Sequence, residues 1–370
     1  MTKQTALYAQ HSELGASFTD FGGWQMPLKY RSELEEHHTV RRAAGIFDLS
    51  HMGEVMVTGP QAAEFLNYAL VGNLAVIAVG KAKYSLICNG DGGVIDDLIV
   101  YRLAEDRFLV VPNASNSDTV AAELQTRSDA FEVTVEDQSQ DTSLIAVQGP
   151  NAEGILLGLA SLEDQDAITS LKYYAAVQVE LAGQSVLLAR TGYTGEDGFE
   201  LFIGNAQAGQ LWKAVLEAGT DHGLAPCGLA SRDSLRLEAG MPLYGHELGL
   251  DTNPFEAGLR GVVSFKKTDD FVGRSALEAL KDQVPARTLV GLRGAGRRSA
   301  RAGYDVVSDG RAVGTVTSGL PSPTLGYPVA LAYVESGLSE PGTELQVDLR
   351  GRPEAFTVIE LPFYRRSGRS

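Results

Sequence analysis

The segment TGYTGEDGFELF, Thr191 to Phe202, places three glycines, two threonines, a tyrosine and three carboxylates around a strand-like run. Gly192, Gly195 and Gly198 are three residues apart, so each can supply a positive φ angle and let a ligand approach the backbone. In the strand that follows, alternation puts Glu200 on the face opposite its apolar neighbours. A carboxylate there suits a ligand with paired N–H donors, such as an aminopyrimidine edge. The alternative is a solvated glutamate on an edge strand.

A hairpin that carries two adjacent aspartates is predicted earlier in the chain. In YSLICNGDGGVIDDLIVYRL, residues 84–103, two β-rich runs flank the turn formers Asn89 to Gly93. Alternation places Asp97 and Tyr101 on one face, so only one of the two aspartates can enter a shared site. We expect Asp97 to enter it and Asp96 to cap the turn. An aspartate in a tyrosine-lined cavity can hold a reactive amine or shuttle its proton.

Two segments elsewhere share one pattern. VMVTGPQAAEFL, residues 55–66, and IAVQGPNAEGIL, residues 145–156, each predict a strand, a Gly-Pro turn and a helix. Pro60 and Pro150 fall where the first turn of a helix tolerates a missing N–H. The pattern is typical either of an internal duplication or of a common local solution that arose twice.

A further helix is predicted in GLASRDSLRLE, residues 228–238, and ends at Gly240. Its Arg232 and Arg236 are four residues apart and share a face, where Asp233 can neutralise one of them. This spacing is usual in a surface helix with intrahelical ion pairs. If the face lines a cleft instead, the arginines can bind a carboxylate.

The character of the chain changes near residue 280. From about residue 285, the runs LVGLR, YDVVS, GTVTS, VALAYV, ELQVDL and FTVIEL are separated by Gly, Pro, Ser and Asp turns. Short strands at this spacing, without a long helical pattern, indicate a small all-β barrel or sandwich. We therefore place a domain boundary near residue 280.

Composition narrows the classes of function. Asp plus Glu number 47 against 31 Lys plus Arg, for a formal net charge of -16, which argues against a dedicated nucleic-acid or anionic-membrane binder. The N-terminus has no apolar signal region, and no apolar run approaches the ~18 residues of a membrane span. We therefore expect a soluble, cytoplasmic protein of two or three domains.

The cysteines and histidines give no metal-ligand spacing. Cys88 and Cys227 stand alone and are expected to be buried free thiols. His51, in DLSHMGE, is interpreted as a hydrogen-bonded structural imidazole. Tyrosines, by contrast, recur beside the candidate segments and together can build a flat slot for a heteroaromatic ligand. They are Tyr84, Tyr101, Tyr173, Tyr174, Tyr193, Tyr244 and Tyr364.

Several long blocks, taken in order, resemble the aminomethyltransferases, or T-proteins, of the glycine cleavage system over essentially the whole chain. The blocks are FGGWQMPLKY, FDLSHMGE, KAKYSLICNGDGGVIDDLIVYR, VVPNAS, RTGYTGEDGFELF, GLASRDSLRLEAGMPLYG, TNPFEAGL, TSGLPSPTLG and PFYRR. The resemblance implies an enzyme without a metal that takes the aminomethyl group from the lipoyl arm of H-protein. It would release ammonia and leave 5,10-methylenetetrahydrofolate.

The resemblance also implies roles for individual residues. Asp97 would be the catalytic carboxylate, Glu200 would pair with the amino-pyrimidine edge of tetrahydrofolate, and Arg232 would contact a carboxylate or polar part of it. Tyr364 would close the site, and Arg301 would lie near the lipoyl entrance. Further lining is implied for Tyr84, Tyr101, Asn113, Tyr173 and Tyr193.

The fold implied by the resemblance is α+β, with three domains in a cloverleaf around a central folate cavity. Residues 1–54 and 141–245 would form a discontinuous first domain, residues 55–140 and 246–280 a second that carries Asp97, and residues 281–370 a C-terminal β-barrel, jelly-roll-like. Two alternatives remain on this fold. One is a folate-dependent demethylase that makes 5-methyltetrahydrofolate, and the other is a non-catalytic folate-binding factor.

Overall fold

The computed structural model describes residues 2–366 as a short two-stranded ribbon, two larger sheets and a closed barrel, with helices packed on them. The strands are β1 Ser17–Phe21, β2 Trp24–Lys29, β3 Ala44–Asp48, β4 Val55–Thr58, β5 Ala82–Cys88, β6 Val94–Ala104, β7 Arg107–Pro112, β8 Thr134–Asp137, β9 Thr142–Gln148, β10 Ala176–Leu181, β11 Gln184–Ala189, β12 Gly198–Gly204, β13 Leu224–Pro226, β14 Arg287–Gly294, β15 Asp305–Ser308, β16 Arg311–Pro321, β17 Pro328–Glu335, β18 Glu344–Asp348 and β19 Pro353–Ile359. The α-helices are α1 Tyr8–Glu13, α2 Glu33–Arg42, α3 Ala62–Ala69, α4 Ser117–Arg127, α5 Ala152–Leu157, α6 Gln165–Ser170, α7 Asn205–Ala218, α8 Leu229–Glu238 and α9 Arg274–Leu280.

The first sheet joins two distant parts of the chain. Its strand order is β10-β11-β12-β9-β3-β13, and β9 pairs antiparallel with both β3 and β12. One face of β12, with Phe199, Leu201 and Ile203, is buried under helices α5 and α7. Because side chains alternate, Glu200 and Phe202 lie on the other face. The predicted alternation of this strand is confirmed.

The second sheet is made entirely from the segment between β3 and β9. Its order is β5-β6-β7-β4-β8, and β5 and β6 form the predicted hairpin. Leu98 and Val100 face a core closed by α3 and α4, whereas Tyr101 faces the first sheet. There Tyr101 packs edge-on against Phe202, with 5.7 Å between ring centroids. The two sheets therefore meet through their inner faces.

The C-terminal runs form a closed barrel in the order β14-β17-β16-β15-β18-β19, which confirms the predicted barrel and gives the chain its mixed α+β class. Leu237 of α8 packs on the outside of this barrel against Val329 and Leu331. Helix α8 thereby connects the barrel to the sheets. Across residues 2–366, no helix combines the length and the apolar character needed to cross a bilayer. Cys88 and Cys227 are buried and free, as predicted.

The two Gly-Pro segments fold alike but not quite as predicted. Gly59 and Gly149 have φ angles of 131° and 130°, and a Cβ at either position would lie within 2.6 Å of a carbonyl oxygen. Pro60 and Pro150 occupy the turn before the helix, because α3 begins at Ala62 and α5 begins two residues after Pro150. Their placement in the first helical turn was therefore wrong.

The division into three domains stays a prediction, and the pairing pattern supports it. Residues 44–48 share a sheet with residues 142–226, while residues 55–137 form the other sheet. Side chains of residues 248–277 pack on β5 and β6 through Phe255 and Phe271, which is the arrangement expected if they belong to the second domain.

A buried charged cluster ties α8 to the barrel. The guanidinium of Arg236 is 1% exposed and pairs with Glu247 at 3.1 Å and with Asp233 at 2.8 Å. It also donates to the Ser318 hydroxyl of β16 at 2.8 Å and to the carbonyl of Met241. Since each buried charge here has a partner, removal of one leaves the other uncompensated.

We expect Arg236→Gln to lower the free energy of unfolding by about 3–5 kcal/mol, because the buried Glu247 carboxylate loses its countercharge. Arg311→Gln is the matched control, since Arg311 pairs with Glu335 at the surface, and we expect its effect to fall within the error of the measurement. Urea unfolding followed by circular dichroism measures both variants. Equal losses in the two variants would contradict the assignment.

Candidate active site

A cavity of about 280 Å³ opens between the inner faces of the two sheets and is called here the central cavity. Strands β5, β6 and β12, helix α8 and the residue after β7 each place a polar side chain on its wall. Of the residues predicted for the site, those that line it are Tyr84, Asp97, Tyr101, Asn113, Tyr193, Glu200 and Arg232. The apolar wall includes Leu98, Val111, Leu144 and Met241. Residues from distant segments therefore converge, as strand alternation predicts for β6 and β12.

Asp97 is held at this wall by two side chains. Its Oδ2 accepts a hydrogen bond from the hydroxyl of Tyr84 at 3.0 Å, and its Oδ1 accepts one from the amide of Asn113 at 2.9 Å. Burial raises the pKa of the Asp97 carboxyl above its usual range, although both hydrogen bonds act to lower it. The carboxyl group is thus fixed in position, and it keeps a proton more readily than a surface aspartate does.

Asp96 does not cap the hairpin turn, so that prediction was wrong. It is fully buried and accepts hydrogen bonds from the backbone N–H of Asn113 at 2.8 Å and from the amides of Asn113 and Asn116 at 3.0 and 2.8 Å. Burial and then the charge of Asp97 raise the pKa of Asp96. Asp96 therefore orients Asn113, which in turn orients Asp97.

Glu200 lies on an interior strand, not on a solvated edge. Glu200 is only 8% exposed. Its Oε2 accepts one hydrogen bond from the hydroxyl of Tyr101, at 3.3 Å, and another from the hydroxyl of Thr191. No described residue donates to Oε1. A carboxylate with one free oxygen on a cavity wall is an acceptor for a ligand's N–H group.

Only one glycine of the 191–202 loop has the predicted conformation. Gly195 has a φ of 79°, whereas Gly192 and Gly198 have ordinary angles. A Cβ on Gly192 or Gly198 would lie 2.0 or 2.5 Å from the side chain of Gln148. These two glycines make room for a buried glutamine that bonds the loop's carbonyls, and the prediction of positive φ angles for them was wrong.

The two arginines of α8 differ in their surroundings. The guanidinium of Arg236 is already paired with Asp233 and Glu247. Arg232 makes no salt bridge or side-chain hydrogen bond with any described residue, and its guanidinium lies 4.8 Å from the centre of the Tyr193 ring. Burial lowers the pKa of Arg232, while the charge of Glu200 raises it. Arg232 is therefore a cation available to a ligand.

A second cavity of about 360 Å³ adjoins the first and shares Met52, Asn113, Tyr193 and Arg232 with it. His51 lies on its wall, 3% exposed, and no described residue hydrogen-bonds either ring nitrogen. The prediction of a hydrogen-bonded structural imidazole was therefore wrong. Burial lowers the pKa of His51 to about 4, so the ring is neutral at pH 7.

Three predicted site residues do not line either cavity. Tyr173 is 52% exposed, and its neighbour Tyr174, held at a φ of 57°, lies on the wall of the central cavity. Tyr364 packs its ring 4.0 Å under the guanidinium of Arg41. Arg301 is exposed on the barrel side, where it donates to the carbonyl of Gly319. The sequence does not reveal which tyrosine of the pair has the strained, positive φ angle.

Comparisons with known proteins identify the family of the chain. The family model described as the GCVT N-terminal domain matches residues 7–267, and that of the glycine cleavage T-protein C-terminal barrel domain matches residues 287–365. An aminomethyltransferase of Streptomyces avermitilis is 57% identical over 98% of each chain, and one of Bacillus subtilis is 43% identical over 99% of this chain and 100% of its own.

A solved structure has the same fold as this chain. The crystal structure of glycine cleavage system aminomethyltransferase T from Bartonella henselae matches with a TM-score of 0.91 and 38% identity, over 98% of each chain. Both family models match in order, and the relatives align from end to end. The chain belongs to the aminomethyltransferase, or T-protein, family of the glycine cleavage system.

Proposed function

We propose that this aminomethyltransferase binds tetrahydrofolate in the central cavity and carries out its transfer beside Asp97. The donor would be the aminomethyl group on the lipoyl arm of H-protein, and the products would be 5,10-methylenetetrahydrofolate and ammonia. The observation that carries the proposal is the convergence of Asp97, Glu200 and Arg232, which has no ion-pair partner among the described residues, on one cavity between tyrosines.

The donor and acceptor groups of the cavity fit tetrahydrofolate. Its aminopyrimidine edge presents N–H donors, and the free Oε1 of Glu200 is a matching acceptor whose other oxygen is already fixed by Tyr101 and Thr191. Its glutamate tail is anionic, and Arg232 offers an uncompensated guanidinium where the two cavities join. Bound tetrahydrofolate would supply the nucleophilic nitrogens that receive the one-carbon unit.

Asp97 would act on the positive charge that develops as the methylene carbon is transferred. A fixed carboxylate in a cavity poor in water stabilises such charge without reorganisation, since Tyr84 and Asn113 already hold it. Asp97 would also hold the proton of a reacting nitrogen, because its raised pKa brings it closer to the pH at which the enzyme works.

The remaining predicted residues would act around the cavity. Tyr364 lies close to Gly195, where a Cβ on the glycine would come within 3.8 Å of its ring, so we propose that it closes the glycine-rich loop over the ligand. Arg301 is proposed to meet the lipoyl-bearing partner at the surface. Tyr173 is proposed to act only through Tyr174, whose ring it packs against edge-on at 4.8 Å.

An assay with purified chain, aminomethylated H-protein and tetrahydrofolate tests the proposal. We expect ammonia and 5,10-methylenetetrahydrofolate to appear in equal amounts. Tetrahydrofolate binding without turnover would favour a binding factor. Formation of 5-methyltetrahydrofolate from a methyl donor would favour a demethylase.

We expect Asp97→Asn to bind tetrahydrofolate but to lose roughly 100- to 1000-fold in kcat, the range for removal of one preorganised electrostatic partner. Its stability gives a second readout. Because the folded-state pKa of Asp97 is raised, its stabilising contribution is present at low pH and is lost as pH rises through that pKa. At pH 8 the variant should therefore unfold no earlier than the wild type. Asp91→Asn, in the exposed turn of the same hairpin, is the control, and retained activity in Asp97→Asn would refute the role.

Glu200→Gln should weaken tetrahydrofolate binding by about ten- to hundredfold, as expected for loss of a hydrogen bond to a charged group. The melting temperature should change little, because glutamine still accepts from Tyr101 and Thr191. Isothermal titration calorimetry measures the affinity, with Glu180→Gln, at an exposed residue of β10 in the same sheet, as the control. An unchanged affinity would count against a pterin contact.

Tyr84→Phe should move the acid limb of the kcat/KM profile to higher pH. The Tyr84 hydroxyl stabilises ionised Asp97, so its removal raises the pKa of that carboxyl further. Tyr8→Phe, at the remote helix α1, should leave the profile unchanged. Initial rates from pH 5 to 9 measure the shift, and a profile that stays in place or moves to lower pH would exclude Asp97 as the titrating group.

A further inference from the structure

A third cavity, of about 290 Å³, lies between the same two sheets and shares no lining residue with the central cavity. It is called here the Glu54 cavity, after the carboxyl group on its wall. Glu54 is 1% exposed, and neither carboxyl oxygen has a hydrogen-bond partner among the described residues. Its backbone is satisfied, since its N–H donates to Ser139 and its carbonyl accepts from Gln138. The need for a partner is therefore confined to the side chain.

A buried carboxyl without partners costs free energy that a donor in the cavity would recover. Burial, and then the charge of Asp137, raise the pKa of Glu54 well above its ordinary value, so the group retains its proton more readily than a surface glutamate does. Gln138, Thr142, Gln178 and Ser185 also line the cavity, and each of these side chains has an oxygen that can accept a hydrogen bond. The wall therefore carries several hydrogen-bond acceptors together with one carboxyl group.

The cation on this wall lies away from Glu54. Arg107 pairs with Thr58 across strands β4 and β7 and is exposed, whereas Glu54 precedes the first residue of β4. Thr58 lies four positions after Glu54 along an extended strand, a distance of roughly 13 Å. Because Arg107 is exposed, water and dissolved salt screen its charge. The acid end of the cavity therefore favours a cation that carries N–H donors.

The Glu54 cavity lies next to the central cavity, further along the same strands. Four strands contribute a residue to both, two positions apart, and such residues point to the same face of a strand. The pairs are Tyr101 and Leu103 on β6, Val111 and Leu109 on β7, Leu144 and Thr142 on β9, and Glu200 and Phe202 on β12. The Tyr101 ring lines the central cavity and packs against the Phe202 ring, which lines the Glu54 cavity.

We propose that Glu54 forms a binding site for ammonium, or for a small primary ammonium ion, one side-chain layer from the reaction centre. The geometry points to this cavity as the place that receives ammonia released beside Asp97, an extension that rests on the proposed function. Ammonia that arrives takes the carboxyl proton of Glu54. The nitrogen lone pair forms the new N–H bond, the O–H bond breaks, and an ammonium-carboxylate pair remains.

Thermal unfolding tests the site without any assay of activity. Ammonium chloride, compared with sodium chloride at equal ionic strength, should raise the melting temperature of the wild type, because a ligand of the folded state stabilises it. Glu54→Gln should melt at the same temperature in the two salts, and Glu132→Gln, an exposed glutamate before β8, should respond as the wild type does. An equal response in Glu54→Gln would refute the site and leave water as the only occupant.

A second comparison does not depend on the variant's folding. Tetramethylammonium has no N–H donor, so as the chloride it should not raise the wild-type melting temperature above that in sodium chloride. A rise equal to that in ammonium chloride would overturn the proposal, since it would show a salt effect unrelated to Glu54.

Kinetics test the connection to the reaction. In the direction that consumes ammonium, Glu54→Gln should raise the KM for ammonium about five- to tenfold, the change expected on loss of a charge-assisted hydrogen bond. The KM for 5,10-methylenetetrahydrofolate should not change. An unchanged KM for ammonium would refute the proposal that this cavity receives the ammonia of the reaction. Absence of turnover by the wild-type chain would refute the proposed function, and the melting comparison would still decide the site.

Discussion

A carboxylate that leaves water must receive its hydrogen bonds from the protein, and the centre of this molecule is organised around that requirement. Asp96 draws the backbone and side chain of Asn113 towards β6, and the same amide then reaches Asp97. Glu200 is met in a similar way by Tyr101 from the facing sheet and by Thr191 from the loop that precedes its own strand. The donors that position the acids are thus the residues that bring β6, β7 and β12 around one space.

Charge also holds the three groups of strands together. Arg41 of α2 contacts Glu196 in the glycine-rich loop and Glu238 at the end of α8, and Glu238 accepts from the Ser322 hydroxyl of the barrel. His37 and Arg41 hold the pKa of Glu238 at about 2, despite its burial. The glycine-rich loop is therefore linked to the barrel through Arg41 and Glu238.

Much of this arrangement was predictable from local pattern. Period-two alternation placed Asp97 with Tyr101 on one face and Glu200 opposite its apolar neighbours, and turn residues placed the β5-β6 hairpin and the barrel strands. What failed depended on partners distant in sequence. Nothing in the loop reveals that Gln148 will fill the space beside Gly192 and Gly198. Similarly, the choice of Tyr174 over Tyr173 follows from a backbone φ of 57° that tertiary contacts impose. The free oxygens of Glu54 could not be inferred from any motif.

In the sequence, all strands of the second sheet lie between two neighbouring strands of the first. This order has a consequence for how the chain folds. Strand β3 completes its sheet by pairing Asp48 with Ile145, and the whole second sheet lies between these residues in the sequence. That contact closes a long loop, whereas every pairing of the inserted sheet lies within the loop. We expect the inserted sheet to form first, because its early collapse shortens the distance that β3 and β9 must cover. The cavity between the sheets would then be among the last parts of the molecule to assemble, after each of its walls has formed separately.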